Sequence, residues 1–380
     1  MSPGSQRIAF LDIMRGVAVV VMVMGHSIDA VLSREVRASE LFQLYDAVRG
    51  FTGPIFLFVA GFAFFVATEK RWADFRSFGK PLAKRVWRFL GLLAIGYALH
   101  VPYFSLDKLL HNTTPAEYAQ MYQADVLHCL AVSMILLQLG LFLVKTPRAF
   151  AMFALGLAAA FVFASPLMWQ QGVVAAISPV LAPYLNGLVP SIFPLFPYAG
   201  FVLTGVGIGH FYLAARRRGK EPEFHHALLL AAFGAVVVGL VFDLLPWAVY
   251  PAHDFWKASP DFFLIRIGAV GFVTAAFLSL RRIPSIVSTG LVTLGQASLL
   301  IYVTHLIIVY GSPANQGLMQ SVGQVLPSPQ ALVVAVEVLA GMFLIVKTWQ
   351  YVRDQHLAYA RFAQAVATSM ILFHFLTRPW

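Results

Sequence analysis

The sequence predicts an all-α fold, a polytopic transmembrane helical bundle of about ten or eleven helices with its N-terminus in the cytoplasm. Three observations predict it. Of 380 residues, 59% are hydrophobic and 12% are charged. Soluble domains carry about 25% charged residues, so this chain has too few charges to cover a water-facing surface of its size. The apolar residues also fall in blocks of about 20, the length that crosses roughly 30 Å of hydrocarbon. Finally, lysine and arginine are unevenly shared between alternate loops.

The predicted spans are 9–30, 50–68, 86–104, 124–144, 149–168, 190–214, 226–246, 260–280, 288–311 and 330–351, with a weaker eleventh at 360–377. Each should be helical, because backbone in lipid must satisfy its own hydrogen bonds. A β-barrel would need alternating segments, and runs such as VAVVVMVM do not alternate. The stretch from Ile8 to Ile28 lacks a small-residue cleavage pattern and reads as a retained first span. The segment 173–187, broken by Pro179 and Pro183, reads as re-entrant or interfacial.

Orientation follows from the cations. With the N-terminus inside, the inner segments hold Arg7, the group from Lys70 to Arg88, Lys145, Arg148, Arg216 to Lys220, Arg281, Arg282, Lys347, Arg353 and Arg361. That is 19 of the 27, against six outside. The net charge of +10 is therefore a topology signal, and no nucleic-acid partner is expected. The single cysteine, Cys129, excludes intrachain disulfides. The whole chain, 1–380, reads as one integral membrane domain.

Ionisable residues within spans are costly and mark function. The first span carries Asp12, Arg15, His26 and Asp29. Asp12 and Arg15 are three apart and share a face. His26 returns to within roughly 20° of the Arg15 face, about 16 Å further along the axis. A pair that merely orients the helix would give the same pattern. His26, His100, His128 and His305 all fall toward the predicted outer side, as do Asp125, Asp261 and Arg266. Such a set predicts a polar cavity opening outward.

Imidazole has a proton affinity suited to general-base work. His26 is the candidate general base or transient acyl carrier, and Asp29, one turn on, the candidate for orienting it. No GxSxG elbow supplies a serine nucleophile, and no HxxxH or HxxE pair suggests a metal. No metal is expected. The glycines of LTGVGIGH (203–210) follow no strand and read as helix packing. The cluster Lys80, Lys84, Arg85 and Arg88 reads first as inner-loop charge and second as a place for donor phosphates or anionic lipid.

Five segments carry a family resemblance. RIAFLDIMRGVAVVVMVMGHS (7–27) has the spacing Asp, Arg-Gly, terminal His; RGFTGPIFLFVAGFAF (49–64) resembles an A-x-P-x-F-L-F-x-x-G-x-S block. DVLHCLAVSMILL (125–137), FPLFPYAGFVLTGVGIG (193–209) and SLLIYVTHLIIVYG (298–311) follow in order. Together they resemble bacterial relatives of the heparan-alpha-glucosaminide N-acetyltransferase catalytic domain, within the integral-membrane acyltransferases. The acyltransferase-like core is then about 7–311, with C-terminal helices at 330–377.

The resemblance implies transfer of an acetyl or other short acyl group across the membrane. Acetyl-coenzyme A would be the cytosolic donor and a sugar amine or hydroxyl the acceptor. Asp12 and Arg15 would serve the donor, His26 with Asp29 the chemistry, and His128, His305, Arg266 and Asp125 the acceptor. The lysosomal family enzyme carries its proposed histidine in a loop after the first span. The matching region here, LFQLYDAVRG (41–50), has none, so the wider superfamily pattern points to His26, with His305 and His128 as alternatives. The expected partners are membrane lipid and a carbohydrate or other small polar acceptor, with homo-oligomerisation left open, in a bacterial cytoplasmic membrane. The alternative reading is a multi-pass transporter of a small polar solute or lipid-linked sugar, with Glu337 and Gln296 near the midplane.

Overall fold

The computed structural model describes residues 8–244, 249–280 and 285–379; Arg7, Arg281 and Arg282 lie outside the described residues. All regular elements described are helices. The principal ones are α1 (Ala9–Val31), α2 (Glu40–Arg49), α3 (Thr52–Lys70), α4 (Lys80–His100), α5 (Leu106–His111), α6 (Val126–Leu143) and α7 (Pro147–Phe163). They continue with α8 (Leu195–Arg217), α9 (Glu221–Leu244), α10 (Pro260–Ser279), α11 (Ser285–Gln296), α12 (Ser298–Tyr310), α13 (Ser328–Gln355) and α14 (Leu357–Thr377).

Every segment expected to span is helical, but fewer pass as simple spans than expected. Among the described residues seven helices are long and apolar enough: α1, α2 with α3, α6, α8, α9, α10 and α13. The segment 288–311, expected as one helix, is instead α11 and α12, bent by 79°, and counts as an eighth span if taken as one broken element. Helix α7 has only 17 residues. Helix α4 opens with the Lys80 to Arg88 charges, and α14 is interrupted by Arg361, Gln364, Thr368 and Ser369. The segment 173–187 holds only the short helices Gln171–Ala176 and Ala182–Leu185.

Contacts divide the chain into two compact units. The first comprises Met1–Thr52, Val101–Tyr118 and Ile283–Trp380. Here α1 packs against α11, α12 and α13. Backbones touch where α1 meets α11: a Cβ at Gly16 would overlap the Leu291 carbonyl, and one at Gly295 the Asp12 carbonyl. The break at Ala297 gives α1 a second level of contact, through α12. The end of α1 closes over a small apolar core of Ala30, Val31, Leu32, Val309 and Ala331.

The second unit comprises Gly53–His100 and Ala119–Arg282. Helix α8 packs on α7 and α6, α9 on α10, and α4 on α6. Its interior is filled by Phe58, Phe62, Phe65, Phe150 and Phe201. The LTGVGIGH glycines are packing positions: a Cβ at Gly205 would strike the Phe58 carbonyl, and one at Gly207 the Leu155 side chain. Arg85 is withdrawn from the basic cluster and buried. Its guanidinium lies 3.9 Å from the Phe75 ring centre and 4.1 Å from that of Phe64, and it donates to Gln138 Oε1 and to Thr68. A side chain held so fully by aromatic rings and neutral oxygens belongs to the packing.

Candidate active site

In the first unit the end of α1 presents His26 to α12. His26 Nδ1 lies 2.9 Å from His305 Nε2, and the two rings stack at 5.2 Å between centres, 15° from parallel. Tyr310 meets His26 edge-on at 5.7 Å. His305 is fully buried. Its Nδ1 lies 2.7 Å from the Ile301 carbonyl oxygen. A carbonyl only accepts, so His305 Nδ1 carries a proton and donates it. In the neutral ring His305 Nε2 is then the acceptor, and His26 Nδ1 must be the donor to it. The proton order runs in one direction and leaves the lone pair of a neutral His26 on Nε2.

Asp29 does not take the part expected of it. His305 holds the His26 ring, while the Asp29 carboxylate ion-pairs with Arg49 and approaches Arg37 at 3.9 Å. Arg37 and Gln324 also donate to the Asp29 carbonyl oxygen, at 2.7 and 3.0 Å. Arg49 bridges to Asp46 as well. Two guanidinium groups are stronger partners for a carboxylate than a neutral imidazole. Gly25 makes this possible, since a Cβ there would collide with Arg49 Cδ. Arg49 thus lies across α1 at the residue before His26. Towards the other end of α1, Arg15 and Asp12 form the expected pair at 3.5 Å, and Gln296 at the α11–α12 break reaches Asp12 at 3.5 Å.

The second unit builds a separate imidazole site at the start of α6. Asp125 is the N-cap: its Oδ1 accepts from the backbone of Leu127 and His128, at 2.9 and 3.1 Å. The same oxygen lies 2.7 Å from His128 Nδ1. The capping geometry and the Asp–His pair are therefore one arrangement, set by the three-residue spacing. His128 is fully buried, and its Nε2 has no hydrogen-bond partner among the described residues. Gly96 makes room for the ring, because a Cβ there would stand 2.6 Å from His128 Cε1. Tyr97 meets the ring edge-on at 4.4 Å, and its hydroxyl bonds Tyr184 at 2.6 Å. His100 lies 6.1 Å from His128, between ring centres, and hydrogen-bonds the Gly96 carbonyl.

The four histidines expected on the outer side therefore meet as two pairs, one in each unit. Within the second unit the Arg266 guanidinium covers the Phe262 ring at 4.1 Å, and its Nε is buried without a hydrogen-bond partner among the described residues. No three His, Cys, Asp or Glu side chains among the described residues group as metal ligands. Arg37, Arg49, Tyr97, Tyr184 and Tyr310 carry no spacing signal and are missed by the sequence reading. A buried Asp29 in need of a counter-charge was the one clue to Arg49.

Residues 7–240 match the family described as heparan-alpha-glucosaminide N-acetyltransferase, catalytic. The chain belongs to this family. Membership at this level means a membrane acyltransferase, and the apolar helices agree with an integral, multi-pass protein. No curated protein matches the chain. The matched segment carries Asp12, Arg15, His26, Asp29, Asp125 and His128, whereas His305 lies beyond it and joins His26 only through the fold.

Proposed function

We propose that the protein moves an acetyl or other short acyl group from acetyl-coenzyme A, or a related thioester, to an amine or hydroxyl of an extracytoplasmic sugar. The N-terminus is placed in the cytoplasm of a bacterial cell, with Asp12 and Arg15 on the donor side. The observation that carries the reading is the proton order from His26 through His305 to the Ile301 carbonyl. It leaves His26 Nε2 as the base.

The acceptor N–H or O–H gives its proton to His26 Nε2 as its nitrogen or oxygen attacks the thioester carbonyl carbon. The C–S bond breaks, the acyl group passes to the acceptor, and the leaving thiolate takes back the proton from the imidazolium. His305 is a positioning residue. Asp29, held between Arg37 and Arg49, fixes the end of α1 that carries the base. Asp125, His128 and Arg266 are the acceptor-binding candidates of the second unit.

The test is acetyl transfer by the purified full chain, with labelled acetyl-coenzyme A and a panel of amino sugars and sugar alcohols. Positioned bases contribute about 10²–10⁴-fold, so His26→Ala should lose at least two orders of magnitude. Undiminished transfer by that variant would sink the assignment. One feature favours a transporter instead: discontinuous helices such as α11 and α12 build solute sites in transporters. That reading predicts solute flux in proteoliposomes with no consumption of thioester.

A further inference from the structure

A cavity of the second unit is lined by none of the residues given a part in the acyl transfer. Helices α8 and α9 are joined by a turn through Gly219, whose φ of 67° suits glycine. Beyond the turn they part, because α8 packs mainly on α7 while α9 packs mainly on α10. The wedge between them holds a cavity of about 470 Å³. Its walls include Ile208, Phe211, Phe224 and Leu228, and Arg218, Lys220 and Glu223 stand at its mouth.

The charges at the mouth differ from their neighbours. Arg217 is paired with Glu69 at 2.6 Å, and Arg216 with Glu221 at 3.8 Å. Arg218 and Lys220 form no ion pair among the described residues. Two free cations and one carboxylate give the mouth a net charge of +1, above a slot with apolar walls. From Lys220 to Ala231 the slot runs along α9 for about 16 Å, at 1.5 Å per residue.

We propose that this wedge is a binding site for an anionic phospholipid, its phosphodiester at Arg218 and Lys220 and one acyl chain between α8 and α9. The charge complementarity and the depth of the apolar slot carry the choice of ligand. A soluble anion would use the mouth alone and leave the slot unfilled. A zwitterionic lipid brings the same phosphodiester but also an ammonium, which the two cations repel, so it gains less at the mouth than an anionic lipid does. The inference does not depend on the acyl-transfer reading, and its test does not use activity.

The experiment is native mass spectrometry of the full chain in detergent, titrated with phosphatidylglycerol and with phosphatidylethanolamine. Each basic residue near a lipid surface contributes about a fivefold change in affinity. Phosphatidylglycerol should therefore be retained several-fold better than phosphatidylethanolamine. Arg218→Gln with Lys220→Gln should remove that preference, and Glu223→Gln should strengthen it. Ala227→Phe, which fills the slot and keeps the charges, should weaken retention of both lipids. Size-exclusion profiles identify any variant that fails to fold, and Glu223→Gln tests the charge without removing either cation. Equal retention of the two lipids by the natural chain overturns the proposal. So does a preference for phosphatidylethanolamine that Glu223→Gln abolishes, undiminished binding in Ala227→Phe, or displacement of the lipid by soluble coenzyme A.

Discussion

His26 and His305 are hydrogen-bonded at 2.9 Å although 279 positions separate them in the chain, and a backbone carbonyl fixes the direction of the bond between them. The consequence for rate is graded. His26→Ala removes the base, a loss of about 10²–10⁴-fold. His305→Ala leaves the base without its orienting partner but keeps the base itself, so its loss should be smaller than that of His26→Ala. His305→Gln can accept from His26 through its side-chain oxygen and should recover part of the loss. Steady-state transfer rates for the three variants check this order.

Gly96 is the position at which α4 gives way to the His128 ring. Gly96→Ala puts a methyl 2.6 Å from Cε1 of a fully buried imidazole. Overpacking of this kind costs about 1–3 kcal/mol. Gly91, on the same helix, has nothing within 4 Å of its Cβ position. Gly91→Ala should be neutral or slightly stabilising. Thermal unfolding of both variants in detergent separates the local clash from a general effect of alanine in α4.

Asp29 and Arg49 form a half-buried ion pair that draws in Asp46 and Arg37. Residues in one such network couple by about 0.5–3 kcal/mol. A double-mutant cycle with Asp29→Asn and Arg49→Gln, read by unfolding, should give a coupling in that range. Additive losses would show that the two side chains act independently.

Between α4 and α6, the short helix Pro115–Met121 carries a carboxylate, Glu117, whose partners all donate to it. Tyr103 donates to one oxygen of Glu117, and the backbone N–H and hydroxyl of Thr114 both lie 2.8 Å from the other. These bonds, with that from Tyr103 the largest, hold the Glu117 carboxyl below its usual range. The stabilisation they give is present above the ordinary carboxylate pKa and is lost as pH falls through the lowered one. Glu117→Gln should therefore be less stable than the natural chain at neutral pH. The gap between the two should narrow as the solution is acidified below the usual glutamate range. Paired melting curves across that interval measure it.

What the sequence determined by itself was everything governed by local periodicity and composition. Apolar block length gives the helices. Three-residue spacing on a helix gives the Asp12–Arg15 pair. The order of the motif segments gives the family. The sequence could not supply contacts between helices distant in the chain, because no spacing rule links positions on different helices. Only the tertiary structure joined His305 to His26 and broke 288–311 into two arms that grip α1 at two levels. It also turned Asp29 away from the imidazole toward two arginines, since an ion pair between close charges outweighs a neutral hydrogen bond. The sequence named the histidines, and the packing of α12 against α1 decided which nitrogen of His26 is left open.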